Sequence, residues 1–209
     1  VMTNRDDLEE NIKLFVDKCY FRDGRKRNPY FLAPNYQMTE LQGAVAIGQL
    51  GKIKWIVEKR NRLGMRLVEG LSRIKGIIPQ TIPRYSTHSF FLLVVRVDPN
   101  IIPIPVSEFC KALEAEGVPC EPNKITGGMP VYMYDIFQRR SAFPGSLIPF
   151  VSKDLESNIE YPKGMCPNAE EAFEHTFNFN ITEFYTEEDI DDMIRATEKV
   201  ANYYRGEGK

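Results

Sequence analysis

The 209-residue sequence is poor in the side chains that hold metals: it has four cysteines and two histidines. Cys19, Cys110, Cys120 and Cys166 form no C-x-x-C pair, and His88 and His175 stand far apart, so the spacing of a zinc site is missing and no metal is expected. Free thiols in a reducing cytoplasm are the simplest account of the cysteines. No apolar run reaches the length of a membrane span and no charged-then-apolar leader opens the chain, so a cytoplasmic protein without a membrane partner is expected. Excess charge is lacking too. A formal net charge of −2 leaves no footprint for nucleic acid, and the one basic cluster, Arg22 to Arg27, reads as a solvated loop, with phosphate binding as the alternative. There is no G-x-S-x-G, no Walker loop and no G-x-G-x-x-G after a strand, which removes the common nucleophile and nucleotide motifs. Repeats and low-complexity segments are absent as well.

A hydrophobic content of 43% is ample for a core in one large or two small domains. Asp6 to Tyr20 reads as a helix with acids at its start and Leu8, Ile12, Phe15, Val16 and Cys19 as its apolar face. A loop rich in Arg, Gly, Asn and Pro follows, and then the stretch Asn35 to Leu50 turns an irregular polar loop into the longest helix the sequence supports. Thr39 and Gln42 form a capping-box pattern, which places the helix start at about Thr39. Its apolar periodicity runs through Leu63, Leu67 and Leu71 to Ile74. An element of that length suits a bridge between domains, bending at its glycines. Small residues at 43, 44, 46 and 48 suit a close helix contact, either across a dimer or inside the chain.

Beyond Pro83, His88 to Val97 is a dense β run expected to be a central strand. Ser107 to Glu116 is expected as a helix capped by Ser107 and closed by Gly117, and the proline in Val118 to Glu121 marks a short edge strand. Together they make a β-α-β pattern. Residues 122 to 166 form a long irregular excursion. A helix opening at Pro167, a strand from Thr176 to Ile181 and a last amphipathic helix capped at Thr186 close the chain.

Few residues point to chemistry by themselves. Lys124 before Gly127-Gly128 reads as a solvated lysine, His88 as a satisfied histidine at a strand rim, and His175 as a favourable charge at a helix C-terminus. Tyr132, Tyr134 and Phe137 suit either a pocket lining or the anchoring of a loop. The loop Pro34-Asn35-Tyr36-Gln37, just before a helix N-terminus, offers amide groups that suit a phosphate or carboxylate, or is simply the lead-in to a well-capped helix.

The run Asn35-Tyr36-Gln37-Met38-Thr39-Glu40-Leu41-Gln42-Gly43-Ala44-Val45, with Gln49-Leu50 and Arg60, resembles the signature of the DegT/DnrJ/EryC1/StrS family. Tyr161 to Glu170, Phe184 to Asp189 and Lys199 to Ala201 continue the likeness. These are pyridoxal 5'-phosphate-dependent aminotransferases of fold type I that act mostly on keto-sugars, often nucleotide-linked. The resemblance implies an α/β chain made of three parts: a remnant of the large cofactor domain with a phosphate-facing loop at 1–38, a long interface helix at 39–75, and a small C-terminal α/β sandwich domain at 76–209. It implies a homodimer in which Asn35 reaches the cofactor phosphate of the neighbouring subunit. Gln37 faces the same site as a substrate contact, and Tyr132 falls where the substrate loop of the small domain runs.

The likeness is to the C-terminal half of a family member, so the cofactor-bearing lysine is expected upstream of Val1 and the chain is expected to be inactive alone. Two departures stand out: Gln37 replaces the arginine usual there, exchanging a permanent bidentate cation for a neutral amide, and the histidine often found near Tyr132 is absent. The function implied is transfer of an amino group from glutamate or glutamine to a keto-sugar. The alternatives are a non-catalytic interaction protein that dimerises through residues 39 to 57, and a small-molecule binding domain that uses residues 130 to 137.

Overall fold

The computed structural model describes residues 3–25, 29, 31–122, 128–146, 148–150 and 160–206. The stretch Lys124 to Gly127 and part of the basic cluster, Lys26 and Arg27, lie outside them. The chain divides into two units, residues 1–54 and 55–209, with the division falling inside the long helix.

In the first unit, helix α1 spans Asp6–Val16 and carries Asp6, Asp7 and Glu9 in its first turn, where the helix dipole favours negative charge. It stops short of the Tyr20 expected from periodicity. Lys18 and Cys19 both adopt φ of 57°, the left-handed region that ends a helix, and the Cys19 N–H closes the turn on the Leu14 carbonyl at 2.7 Å. Helix α2 spans Glu40–Leu71 without a break. Its start is the expected capping box: the Thr39 N–H donates to Gln42 Oε1 at 2.9 Å and the Gln42 N–H donates to Thr39 Oγ1 at 3.3 Å.

In the second unit, strands β1 (Ile77–Pro79), β2 (Leu92–Val97), β3 (Glu121–Pro122) and β4 (Thr176–Asn180) form one sheet in the order β1-β2-β4-β3, with every neighbouring pair antiparallel. Since β4 runs against both β2 and β3, those two are parallel to each other. With helix α3 (Val106–Ala115) between them, they form the β-α-β unit read from sequence, split by β4. The proline-bearing β3 lies at the sheet edge, and β2 lies in the interior.

Alternation fills the core face. Leu93 pairs with Phe179 and Val95 with Phe177, and all four are fully buried. Leu63, Leu67 and Leu71 of α2, Phe109 and Leu113 of α3, and Ile190 and Met193 of helix α6 (Glu187–Tyr204) complete this cluster. Phe177 packs against Phe109 and Phe179 with ring centroids 5.7 and 5.0 Å away. Helix α5 (Pro167–His175) lies on the opposite face, where Glu171 meets Arg96 of β2 at 2.5 Å. On that face Asn178 is buried and its Oδ1 has no partner among the described residues. The capping box at Thr186 and Asp189 opens α6 as expected.

Two local readings change. Helix α3 begins at Val106 with Pro105, not Ser107, in the capping position and no side-chain cap. Val106 is drawn into the core, and the proline's fixed φ already suits a helix entry. The strand expected over 88–97 begins only at Leu92 because Phe90 adopts φ of 48° and turns its ring inward onto α2. His88 is held in that turn: Nδ1 accepts the Phe90 N–H at 3.0 Å and Nε2 lies 3.0 Å from the Gln80 amide.

An arginine ladder ties α2 to the last helix of this unit and to the turn before it. Arg60 pairs with Glu183 at 2.5 Å, and Arg66 grips Asp191 through two hydrogen bonds of 2.7 Å. The first pair is the more enclosed, with Glu183 only 12% exposed. A residue of the sequence signature, Arg60, is thus part of the scaffold.

Candidate functional site

The loop that carries Asn35 and Gln37 is fastened to the end of α1. The Lys18 N–H donates to the Pro34 carbonyl at 2.9 Å and the Tyr36 N–H to the Val16 carbonyl at 2.8 Å, which makes an isolated antiparallel bridge between Asp17 and Asn35. The Tyr36 ring packs against Phe15, with centroids 6.3 Å apart. The backbone is therefore fixed while the side chains are left over: Asn35 and Gln37 are both exposed, and neither amide makes a hydrogen bond among the described residues. A fixed backbone bearing an uncommitted amide is what binding a phosphate requires of its protein donor, because little order has to be gained on binding.

Asp17 underpins this arrangement, and sequence reasoning missed it. Its carboxylate is 3% exposed, receives a two-pronged contact from Arg22, and has the Lys18 ammonium at 3.3 Å. The Arg22 hydrogen bond, helped by Lys18 and opposed by burial, holds its pKa down at about 2, from an ordinary 3.8. A cavity of about 580 Å³ opens beside it, lined by Gln37, Asp17, Tyr20, Phe21, Arg22 and Arg25 among others. Arg25 stacks over the Phe21 ring at 3.7 Å while pairing with Glu10 and Asp23. The only sequence cue to Asp17 was its place at the end of a helix before a polar loop.

A carboxyl with a depressed folded-state pKa contributes stability that is present above its unfolded value and lost as pH falls through the folded one. The Asp17 hold should therefore weaken between about pH 4 and pH 2. Amide exchange at Lys18 and Tyr36 should accelerate across that window, and Asp17→Asn should show the faster exchange already at neutral pH. Equal protection of both amides at pH 5 and pH 2 would refute this role.

Tyr132 lies in the second unit, in a one-turn 3-10 helix, Val131–Met133. Its hydroxyl donates to Glu170 Oε1, which also accepts the Gly164 N–H at 2.5 Å. The Gln138 amide donates to the carbonyls of Tyr132 at 2.9 Å and Tyr161 at 2.8 Å. Phe137 packs on Tyr161, with centroids 5.4 Å apart, and both line a hollow of about 390 Å³ with Gln138, Arg140 and Glu160. Tyr134 stands at the entry to the short helix α4, Asp135–Gln138. Asn35 and Gln37 thus share the first unit, and Tyr132 belongs to the second. Among the described residues no cluster of His, Cys, Asp and Glu could hold a metal ion, and no helix is long and apolar enough to cross a membrane.

Comparison with known proteins adds what the geometry does not carry. The model of the DegT/DnrJ/EryC1/StrS aminotransferase family matches residues 1–198. An uncharacterized protein of Methanocaldococcus jannaschii is 24% identical over 214 residues, which cover 98% of this chain and 50% of that protein. The UDP-4-amino-4-deoxy-L-arabinose--oxoglutarate aminotransferase of Shewanella sediminis is 33% identical over 81 residues, 37% of this chain and 21% of that enzyme. Among solved structures, DesV of S. venezuelae superposes with a TM-score of 0.72 at 17% identity, covering 96% of this chain and 46% of that one. PseC of Helicobacter pylori, an aminotransferase of pseudoaminic acid biosynthesis, gives 0.70 at 16% identity, covering 96% and 48%. At such identities the likeness of structure speaks for the fold, that of the fold-type I aminotransferases. The chain spans half or less of the length of these relatives.

Proposed function

The chain belongs to the DegT/DnrJ/EryC1/StrS aminotransferase family, and from that premise we propose that it forms one part of a pyridoxal 5'-phosphate-dependent sugar aminotransferase. Its contribution is the small domain, the long helix and one loop of a composite site. The observation that carries the reading is the Asn35 loop, whose backbone is fastened to α1 while the Asn35 and Gln37 amides stay exposed and uncommitted.

Asn35 fits the cofactor's phosphate, because an amide N–H can donate to an anionic oxygen at no cost in broken internal bonds. Gln37, at the edge of a mixed-charge cavity, suits a polar substrate group better than a carboxylate, since it brings no charge. Tyr132 is assigned to the sugar side of the site. When bound, the cofactor supplies the electron sink for moving an amino group between glutamate or glutamine and a keto-sugar. The residues named here bind and orient; none of them is placed as the proton-transfer group. The lysine that carries the cofactor is assigned to a part of the enzyme outside this chain, so the chain by itself is read as inactive.

A homodimer accompanies this reading. On the first half of α2, Leu41, Val45, Ile47, Leu50 and Ile53 are exposed, Leu41 by 81%. Such a concentration of apolar side chains on one short stretch is a surface to be covered, and the small residues at 43, 44, 46 and 48 permit a close approach. The same stretch favours the second reading, a non-catalytic protein of this family that dimerises through α2. The test is amino transfer by a polypeptide that joins this chain to a lysine-bearing cofactor domain. With glutamate or glutamine and a panel of nucleotide-linked keto-sugars, the enzyme reading expects release of the keto acid that depends on the sugar. A dimer that turns over no sugar of the panel would favour the interaction protein.

A further inference from the structure

Glu170 sits in the first turns of α5 and draws donors from two separate segments onto one carboxylate: the Gly164 N–H at 2.5 Å and the Tyr132 hydroxyl. The Lys163 ammonium adds positive charge nearby. The next residue, Glu171, anchors the same helix to β2 through Arg96 at 2.5 Å. On the other side Gln138 clasps the carbonyls of Tyr132 and Tyr161. The Tyr132 phenol is thus held to α5 through the Glu170 carboxylate, and α5 to the central sheet through that of Glu171.

We propose that Glu170 is the positioning residue for Tyr132: it occupies the proton-donor side of the phenol, so that Tyr132 presents a ligand with its oxygen lone pair and ring instead of an O–H donor. The chemical consequence is selective. A carboxylate oxygen accepts and cannot donate, so a phenol bonded to it keeps its proton pointed inward. A group that brings its own donor, such as a sugar hydroxyl or an ammonium, can then bond to Tyr132. A phosphate or carboxylate, which needs a donor, cannot. The part of this inference that concerns a ligand rests on the reading of Tyr132 as a substrate contact; the hold of Glu170 on Tyr132 does not.

Electrostatics agrees with the geometry. Tyr132 is held above the usual phenol value, by burial first and by its bond to the Glu170 carboxylate second. Glu170 is held below the usual carboxylate range, by the Tyr132 hydroxyl first and the Gly164 N–H second. The titratable neighbours that bear on the pair are Lys163 and Cys166.

The test is titration of the chain labelled at the phenol carbon of its ten tyrosines, with the Tyr132 signal identified by its loss in Tyr132→Phe. In the unaltered chain the Tyr132 signal should titrate above pH 10, and the Gly164 amide should exchange slowly. Glu170→Gln keeps the shape and an acceptor for Gly164 but removes the charge, so it should lower the Tyr132 midpoint. An ordinary midpoint in the unaltered chain, a reading that needs no variant to fold, overturns the proposal. So does a midpoint unmoved in a folded Glu170→Gln. In a joined, active enzyme, the ligand part predicts that Tyr132→Phe and Glu170→Gln raise KM for the keto-sugar more than they lower kcat. If the titration behaves as expected while KM is unchanged in both variants, the hold of Glu170 stands and the assignment of Tyr132 to the substrate falls.

Discussion

Gly64→Ala should destabilise the second unit by about 2–3 kcal/mol, the upper part of the range for overpacking a filled core. A Cβ at Gly64 would lie 2.3 Å from Phe90 Cγ and 2.4 and 2.5 Å from the two ring carbons beside it. The ring has no easy retreat: Phe90 is fully buried, its backbone is in the left-handed region, and its N–H is committed to His88. Gly70→Ala is the instructive contrast. Its new Cβ would meet Ile194 Cδ1 at 2.3 Å and Cγ1 at 2.7 Å, but Ile194 is only half-buried and has room to turn outward, so a smaller loss is expected. Gly43→Ala has nothing within 4 Å and should be neutral or favourable, by the roughly 1 kcal/mol of helix propensity that alanine holds over glycine. Chemical denaturation of the three variants checks the order. Equal losses at all three sites would show that the fit of Phe90 against α2 is not what Gly64 serves.

Asn35→Ala, in a polypeptide that also carries a cofactor-bearing lysine, should weaken retention of pyridoxal phosphate by about 1.5–3 kcal/mol, or roughly 10- to 150-fold in Kd. The size follows from leaving one anionic oxygen short of a donor in a site that has otherwise lost its water. Local structure should not change, because the bridge between Asp17 and Asn35 is made by backbone and does not need the side chain. Slow exchange of the Tyr36 amide in the variant verifies that. Asn35→Asp should be worse than Asn35→Ala, since it sets a second negative charge against the phosphate. Dialysis followed by absorbance of the retained cofactor gives the measurement, and an affinity within twofold of the parent would remove Asn35 from the phosphate site.

Much of the fold was legible because it is written in local chemistry. The reciprocal caps at Thr39 with Gln42 and Thr186 with Asp189 need only four residues each, and both helices start where those residues stand. The alternation of β2 likewise gave an interior strand, whereas the edge strand read over Val118 to Glu121 on its proline forms only at Glu121–Pro122. What escaped depends on contacts distant in sequence or on backbone torsions. Nothing in the residues 88–91 forecasts that Phe90 leaves the strand to fill the notch at Gly64, so the strand was read too long. The end of α1 was missed because a left-handed Lys18-Cys19 pair is unusual without glycine. Ser107 lost its cap because burial of Val106 outweighed a favourable side chain.

The site divides in the same way. Asn35 and Gln37 came from resemblance, and the physical reading alone left them as a polar loop before a helix. Asp17 and Glu170, which hold that loop and the Tyr132 segment, were not singled out. Their partners Arg22, Gly164 and Tyr132 are recognisable only once the chain has folded.

Reductive trapping of the cofactor tests the central claim most directly. The chain is mixed with pyridoxal phosphate, reduced with borohydride, digested and mapped. If the chain is one part of a composite aminotransferase site whose cofactor-bearing lysine lies elsewhere, label should be sparse and spread over several exposed lysines. Stoichiometric labelling of one lysine would contradict the account and make the chain a cofactor-bearing protein in its own right.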